Sequence, residues 1–136
     1  MTREMNAVEK LLSFDAGKIS TPTKTYVMNL KKLDHEPFEF QIQAIDPEIM
    51  SELQESILEV DSKSQKMTVS GSFNRKAMTI VEGCPGIFKN KDLQKHFGAA
   101  SPKELVKKLL VSGEMDDLQS EIEKLSGYET EEDVKN

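Results

Sequence analysis

The sequence has no tryptophan, one cysteine, two histidines and only 6% aromatic residues over its 136 positions. Each scarcity removes a class of protein. The lone thiol, Cys84, has no partner for an internal disulfide, so a disulfide-stapled secreted domain is excluded and a reducing cytoplasm is expected. Two histidines and one cysteine, without close ligand spacing, do not make a zinc site. No apolar run approaches the roughly 18 residues that a membrane span requires. The opening MTREMNAVEKLL sets acids within its apolar pattern and lacks the core of a signal peptide. Glycines are few as well, and Gly71, Gly83 and Gly86 follow neither the P-loop nor the dinucleotide-binding pattern.

What is present is charge and modest apolar content, 31% and 37% of residues. That mixture suits a single soluble domain with a modest core, not a large enzyme around a deep pocket. The net charge of −6 is unevenly placed. Residues 1–113 hold 16 basic and 15 acidic side chains, whereas residues 114–136 hold 2 and 9. The acid excess therefore lies in the last helix and tail, where it favours solubility and opposes nucleic-acid binding. Against it stands a lysine cluster at Lys89, Lys91, Lys95, Lys103, Lys107 and Lys108. No aromatic residues interleave there as a base-stacking platform would need, so a solvated face is the simpler reading.

Periodicity predicts the elements. Residues 3–14 form a short amphipathic helix with Val8, Leu11, Leu12 and Phe14 on one side, broken at Gly17 and Pro22. Tyr26, Met28 and Leu30, then Phe38, Phe40, Ile42 and Ala44, alternate with polar residues around a short polar segment. That pattern is a β-hairpin with one buried face. Asp46 and Pro47 suit the N-cap and first position of a helix striped by Ile49, Leu53, Ile57 and Val60. Asp61 to Gln65 is expected to be a loop, and Lys66 to Ser70 is a candidate third strand. Phe73, Ala77, Ile80 and Val81 return to helical spacing until Gly83-Cys84-Pro85-Gly86 stops it. Lys91 to Phe97 is a short helix closed by Gly98. Ser101-Pro102-Lys103-Glu104 is a capping box opening a leucine-rich helix. After Ser112-Gly113, Met115, Leu118, Ile122 and Leu125 form a last stripe, with Gly127 at the C-cap.

Catalytic constellations are missing from this pattern. Cys84 sits in a Gly-Cys-Pro-Gly turn, and nothing sets His35 or His96 beside it as a base. Asp116 and Asp117 are neighbours on a helix and point in different directions. Six methionines besides the first are a surplus that suits either core gap-filling or an adaptable apolar surface.

One family shares this order of features. Ile80-Val81-Glu82, Pro85, Phe88-Lys89 and Lys91-Asp92-Leu93 precede the capped stretch from Ser101 to Leu110. Gly113-Glu114-Met115, Leu118, Ile122 and Leu125-Ser126-Gly127-Tyr128 follow. The combination resembles the XkdN-like tail assembly chaperones of phages and prophages. The likeness is strongest over residues 80–128. Gly-Cys-Pro-Gly-Ile-Phe departs from the pattern, and the first 24 residues match it loosely. The resemblance implies a non-enzymatic cytoplasmic protein, without cofactor or metal, that binds the tape measure protein and keeps it soluble during tail assembly. The tail-tube protein is a second implied partner. Rival readings are a phage nucleic-acid-binding or regulatory protein using the lysine cluster, and a structural tail or head-completion component.

The expected fold is α+β and mainly helical, with about five helices and one antiparallel β-hairpin. It forms a single domain over residues 1–128, followed by an acidic, disordered tail at 129–136. The expected partner surface is the last stripe, Met115, Leu118, Ile122, Leu125 and Tyr128. Its spacing of three and four suits a helix-in-groove contact.

Overall fold

The structure is a computed structural model that describes residues 6–63 and 68–128, with side chains described over 6–55 and 73–128. The elements run α1 (Ala7–Leu12), β1 (Thr23–Leu30), β2 (Glu36–Gln43), α2 (Pro47–Lys63) and α3 (Thr68–Gly83). They continue as α4 (Pro85–Phe88), α5 (Lys91–His96), α6 (Pro102–Leu109) and α7 (Ser112–Leu125). The class is α+β and mainly helical, as the sequence predicts, with seven helices among the described residues where about five were expected. Among the described residues the one sheet is the antiparallel β1–β2 hairpin.

Its register pairs Tyr26 with Phe40 and Met28 with Phe38, so the alternating apolar sets share a face. Met28, Leu30, Phe40 and Ile42 are buried there. The turn needs left-handed backbone at Asp34 (φ 57°) and His35 (φ 59°), and the His35 N–H donates to the Leu30 carbonyl. Pro37 lies inside β2, opposite Asn29, where a two-stranded sheet tolerates a missing donor.

Two local expectations fail around the α2–α3 junction. Residues 61–63 continue α2, where a loop was expected. Thr68 to Ser70 belong to the first turn of α3, which excludes a third strand there. Lys66 and Met67, with residues 64 and 65, lie outside the described residues. The physical reason is shared: a polar stretch without glycine or proline does not stop a helix, and a five-residue apolar–polar alternation is weak against helix propagation. The first helix is shorter than the expected 3–14, and residues 3–5 also lie outside the described residues.

The core is organised on α3, which packs against α2, α4, α6 and α7. Ala77, Ile80 and Val81 of α3 meet Leu118 and Ile122 of α7 in one cluster with Leu105, Val106 and the hairpin's inner face. Cys84 ends α3, and Pro85 begins α4 at the first helical position. The Phe40 ring stacks on Phe88 at 6.4 Å between centroids, tying hairpin to α4. The Ser101 hydroxyl accepts from the Glu104 N–H at 3.2 Å, and Glu104 reaches back to the Ala100 N–H at 2.7 Å. The predicted box is therefore present, closing one residue earlier than the usual pattern. Gly98 (φ 69°) and Gly127 (φ 99°) end α5 and α7 in left-handed caps.

Candidate functional site

The last stripe does not face outward. Met115 is 5% exposed and Leu118 and Ile122 are fully buried, covered mainly by α3 and the hairpin. These three side chains cannot contact a partner while the domain is folded. Arg75 and Lys76 of α3 pair with Glu123 and Asp116 of α7, which fixes the covered face. Glu114 adds a buried tie: its carboxylate accepts from the Lys31 N–H and the Val111 N–H, each at 3.0 Å. Only the end of the stripe reaches the surface, with Leu125 partly buried and Tyr128 51% exposed.

That end opens on a groove. Beyond β2 the chain turns through Ala44 to Asp46 into α2. The Ala44 N–H donates to the Pro22 carbonyl at 2.9 Å, so the segment before β1 is held against the segment after β2. The Ile45 N–H donates to Ser126 Oγ at 3.0 Å, and that hydroxyl donates to the Ile122 carbonyl at 2.9 Å. Ser126 thus ties the end of α7 to the hairpin–α2 corner. Between these ties lies a groove of about 510 Å³ walled by Ile19, Pro22, Ile45, Pro47 and Leu125. A smaller extension of about 150 Å³, between Met50, Gln54 and Tyr128, shares Ile45, Pro47 and Ser126 with it.

The N-terminal arm leads into this groove along the chain, through Ile19. Asn6 caps α1 through the Glu9 N–H at 2.8 Å, yet no residue of α1 is buried. Leu11, Leu12 and Phe14 are exposed, and Ile19, at the groove's lip, is 85% exposed. Sequence reasoning assigned the arm to the fold and missed the groove. The available signal was the arm's length: one and a half turns ended by Gly17 and Pro22 are too short to be stable unaided.

No catalytic or metal arrangement emerges around Cys84. Its thiol is fully buried and burial pushes its pKa up to about 12, so it stays protonated and unreactive at neutral pH. No group of three or more His, Cys, Asp or Glu side chains is placed to hold a metal ion among the described residues. No helix there is long and apolar enough to cross a membrane. Within the lysine cluster, Lys89 pairs with Glu82 at 3.0 Å and Lys103 donates to Asn74 at 3.0 Å. Among the methionines whose side chains are described, Met28, Met50 and Met115 are buried in the core and Met78 packs against it.

The fold has a solved counterpart. The crystal structure of the protein YqbN, a structural-genomics target, aligns with a TM-score of 0.54 over 85% of this chain and 93% of that one, at 21% identity. At that identity the likeness concerns the fold. No curated protein matches the chain. Residues 8–136 match the family described as phage XkdN-like tail assembly chaperone protein, TAC. Covering nearly the whole sequence, that match means that the chain belongs to the XkdN-like family of phage tail assembly chaperones.

Proposed function

We propose that the chain binds its phage's tape measure protein and holds it soluble in the host cytoplasm while the tail is built. It acts by binding, without catalysis, and the tail-tube protein is its second expected contact. A long amphipathic helical chain aggregates unless its apolar stripe is covered. The observation that carries this reading is the apolar surface that the fold leaves open, from Leu11, Leu12 and Phe14 of the arm to Ile19 and the groove. A small domain that buries its own core normally does not leave so many large apolar side chains together on one segment.

Co-expression tests it. The tape measure protein encoded with this chain should move from the insoluble to the soluble fraction when the two are made together, and should co-purify. A tape measure protein that is equally soluble alone, or that never co-purifies, would remove the reading. Recovery of the chain in purified virions would instead favour a structural tail component.

A further inference from the structure

We infer that the groove at the end of α7 is the docking site for a client helix whose apolar stripe is flanked by lysine or arginine. This rests on the tape-measure reading and adds the surface and the chemistry of the segment it takes.

The backbone around the groove decides the conformation of the occupant. An extended segment would need free main-chain donors to add itself to the hairpin. The Ala44 N–H is already taken by the Pro22 carbonyl and the Ile45 N–H by Ser126. With these two donors closed to an added strand, an occupant that satisfies its own backbone, as a helix does, suits this corner. Its apolar side chains would meet Ile19, Pro22, Ile45, Pro47 and Leu125, with Tyr128 closing the far end.

Charge decides the flanks. Asp46 is the one charged residue in the lining, and neither lysine nor arginine contributes to it. On α2, Pro47, Met50, Ser51 and Gln54 line the groove, so helical spacing puts exposed Glu48 and Glu55 on the adjoining flank, two turns apart. Of the nearby cations, Lys24 and Lys124 both pair with Glu121, at 2.7 and 3.4 Å, which leaves Lys18 beside Ile19 as the one basic side chain next to the lip among the described residues. An apolar floor beside the acidic flank of Asp46, Glu48 and Glu55 favours a basic amphipathic helix over an acidic one.

The test uses the full chain and two synthetic helical peptides of about 15 residues with one leucine stripe, their polar positions all lysine or all glutamate. By fluorescence anisotropy the lysine peptide should bind at least about tenfold tighter, with the difference shrinking in high salt. Joint Ile19→Ser and Tyr128→Ser changes should weaken it about tenfold at an unchanged melting temperature. Glu48→Gln with Glu55→Gln should narrow the preference for lysine. Equal affinity for the two peptides, or indifference to the Ile19 and Tyr128 changes, would overturn the inference. A gain in affinity on Leu11→Ser with Leu12→Ser would overturn it too, because the groove's occupant would then be the chain's own arm, in the same or a second copy. Co-expression separates this claim from the reading beneath it. If the tape measure protein co-purifies equally with the parent and the Ile19/Tyr128 variant, the groove is wrong and the chaperone reading stands. If it co-purifies with neither, the tape-measure reading falls and the docking claim with it.

Discussion

The arm and α7 are built on the same periodicity: Val8, Leu11 and Leu12 at one end of the chain, Met115, Leu118, Ile122 and Leu125 at the other. In α7 the stripe is met by α3 along its length, and Arg75 and Lys76 hold that contact from its edges. In α1 the stripe meets nothing that buries it, because Gly17 and Pro22 break the chain before β1 and the hairpin's inner face is already covered by α7. Spacing shows that a helix has an apolar side. It does not show what lies opposite, and here the last stripe is core along most of its length while the stripe of the first helix is exposed.

The sharpest way to break this comparison is one substitution in each stripe. Leu118→Ala should cost about 3 kcal/mol, since a fully buried leucine leaves a cavity that its neighbours fill only in part. Leu12→Ala, at a side chain 80% exposed, should change stability by less than about 0.5 kcal/mol. Urea melts read both. A comparable loss at Leu12 would mean that the arm packs on the domain, and the contrast would collapse.

The contact between α3 and α7 can be probed from its tightest point. A Cβ on Gly83 would come within 2.7 Å of Ile122 Cγ1 and Cγ2, so the two helices approach at a position where only glycine fits. Gly83→Ala should therefore destabilise by about 2 kcal/mol, although alanine is the better helix former. Adding Ile122→Val, which removes the Cδ1 atom in the way, should recover part of the loss. An alanine variant as stable as the parent would show that α7 sits further from α3 than the structure places it.

What was legible in the sequence follows the same division between local and long-range causes. The capping box at Ser101, the glycine stops at Gly98 and Gly127, and the hairpin's inner face are set by a few adjacent residues, and each was readable. The α2–α3 junction was misread because propensity over five residues is too weak to overrule a helix arriving from each side. The burial of Met115, Leu118 and Ile122 was not legible for a different reason: it depends on what packs across from them. The proposed groove is likewise made by Ile19, Ile45, Met50 and Leu125, three separate stretches of chain brought together by the Pro22–Ala44 and Ile45–Ser126 ties. No local pattern announces such a meeting.

A smaller effect sharpens the local side. Ser101→Ala removes the oxygen that accepts from the Glu104 N–H, and should cost about 1 kcal/mol. Because α6 buries Leu105, Val106 and Leu109, fraying of its first turn is felt by the whole domain and should lower the urea midpoint. Ser101→Asp should retain most of the stability, because aspartate caps as well and favours the helix N-terminus. No change in midpoint for the alanine variant would show that water replaces the cap.

The smallest expected effect concerns the ion pair that fastens the hairpin to α7 beside the groove. A hydrogen bond from Lys24, at 2.7 Å, holds the Glu121 carboxyl below its ordinary pKa, against an opposing push from burial, with Lys124 assisting. The folded chain therefore binds this proton less readily than the unfolded chain. The resulting stabilisation is complete above the unfolded carboxylate value of about 4.3 and is lost as pH falls through the folded value. Half of the Lys24 side chain is in solvent, so the pair contributes only about 0.5 kcal/mol after screening. Glu121→Gln should lower stability by that amount at pH 7, and the gap to the parent should close at pH values below both pKa values. Urea midpoints of the two proteins at neutral and acid pH provide the measurement. A gap that persists in acid would mean that the side chain acts through packing and not through its charge.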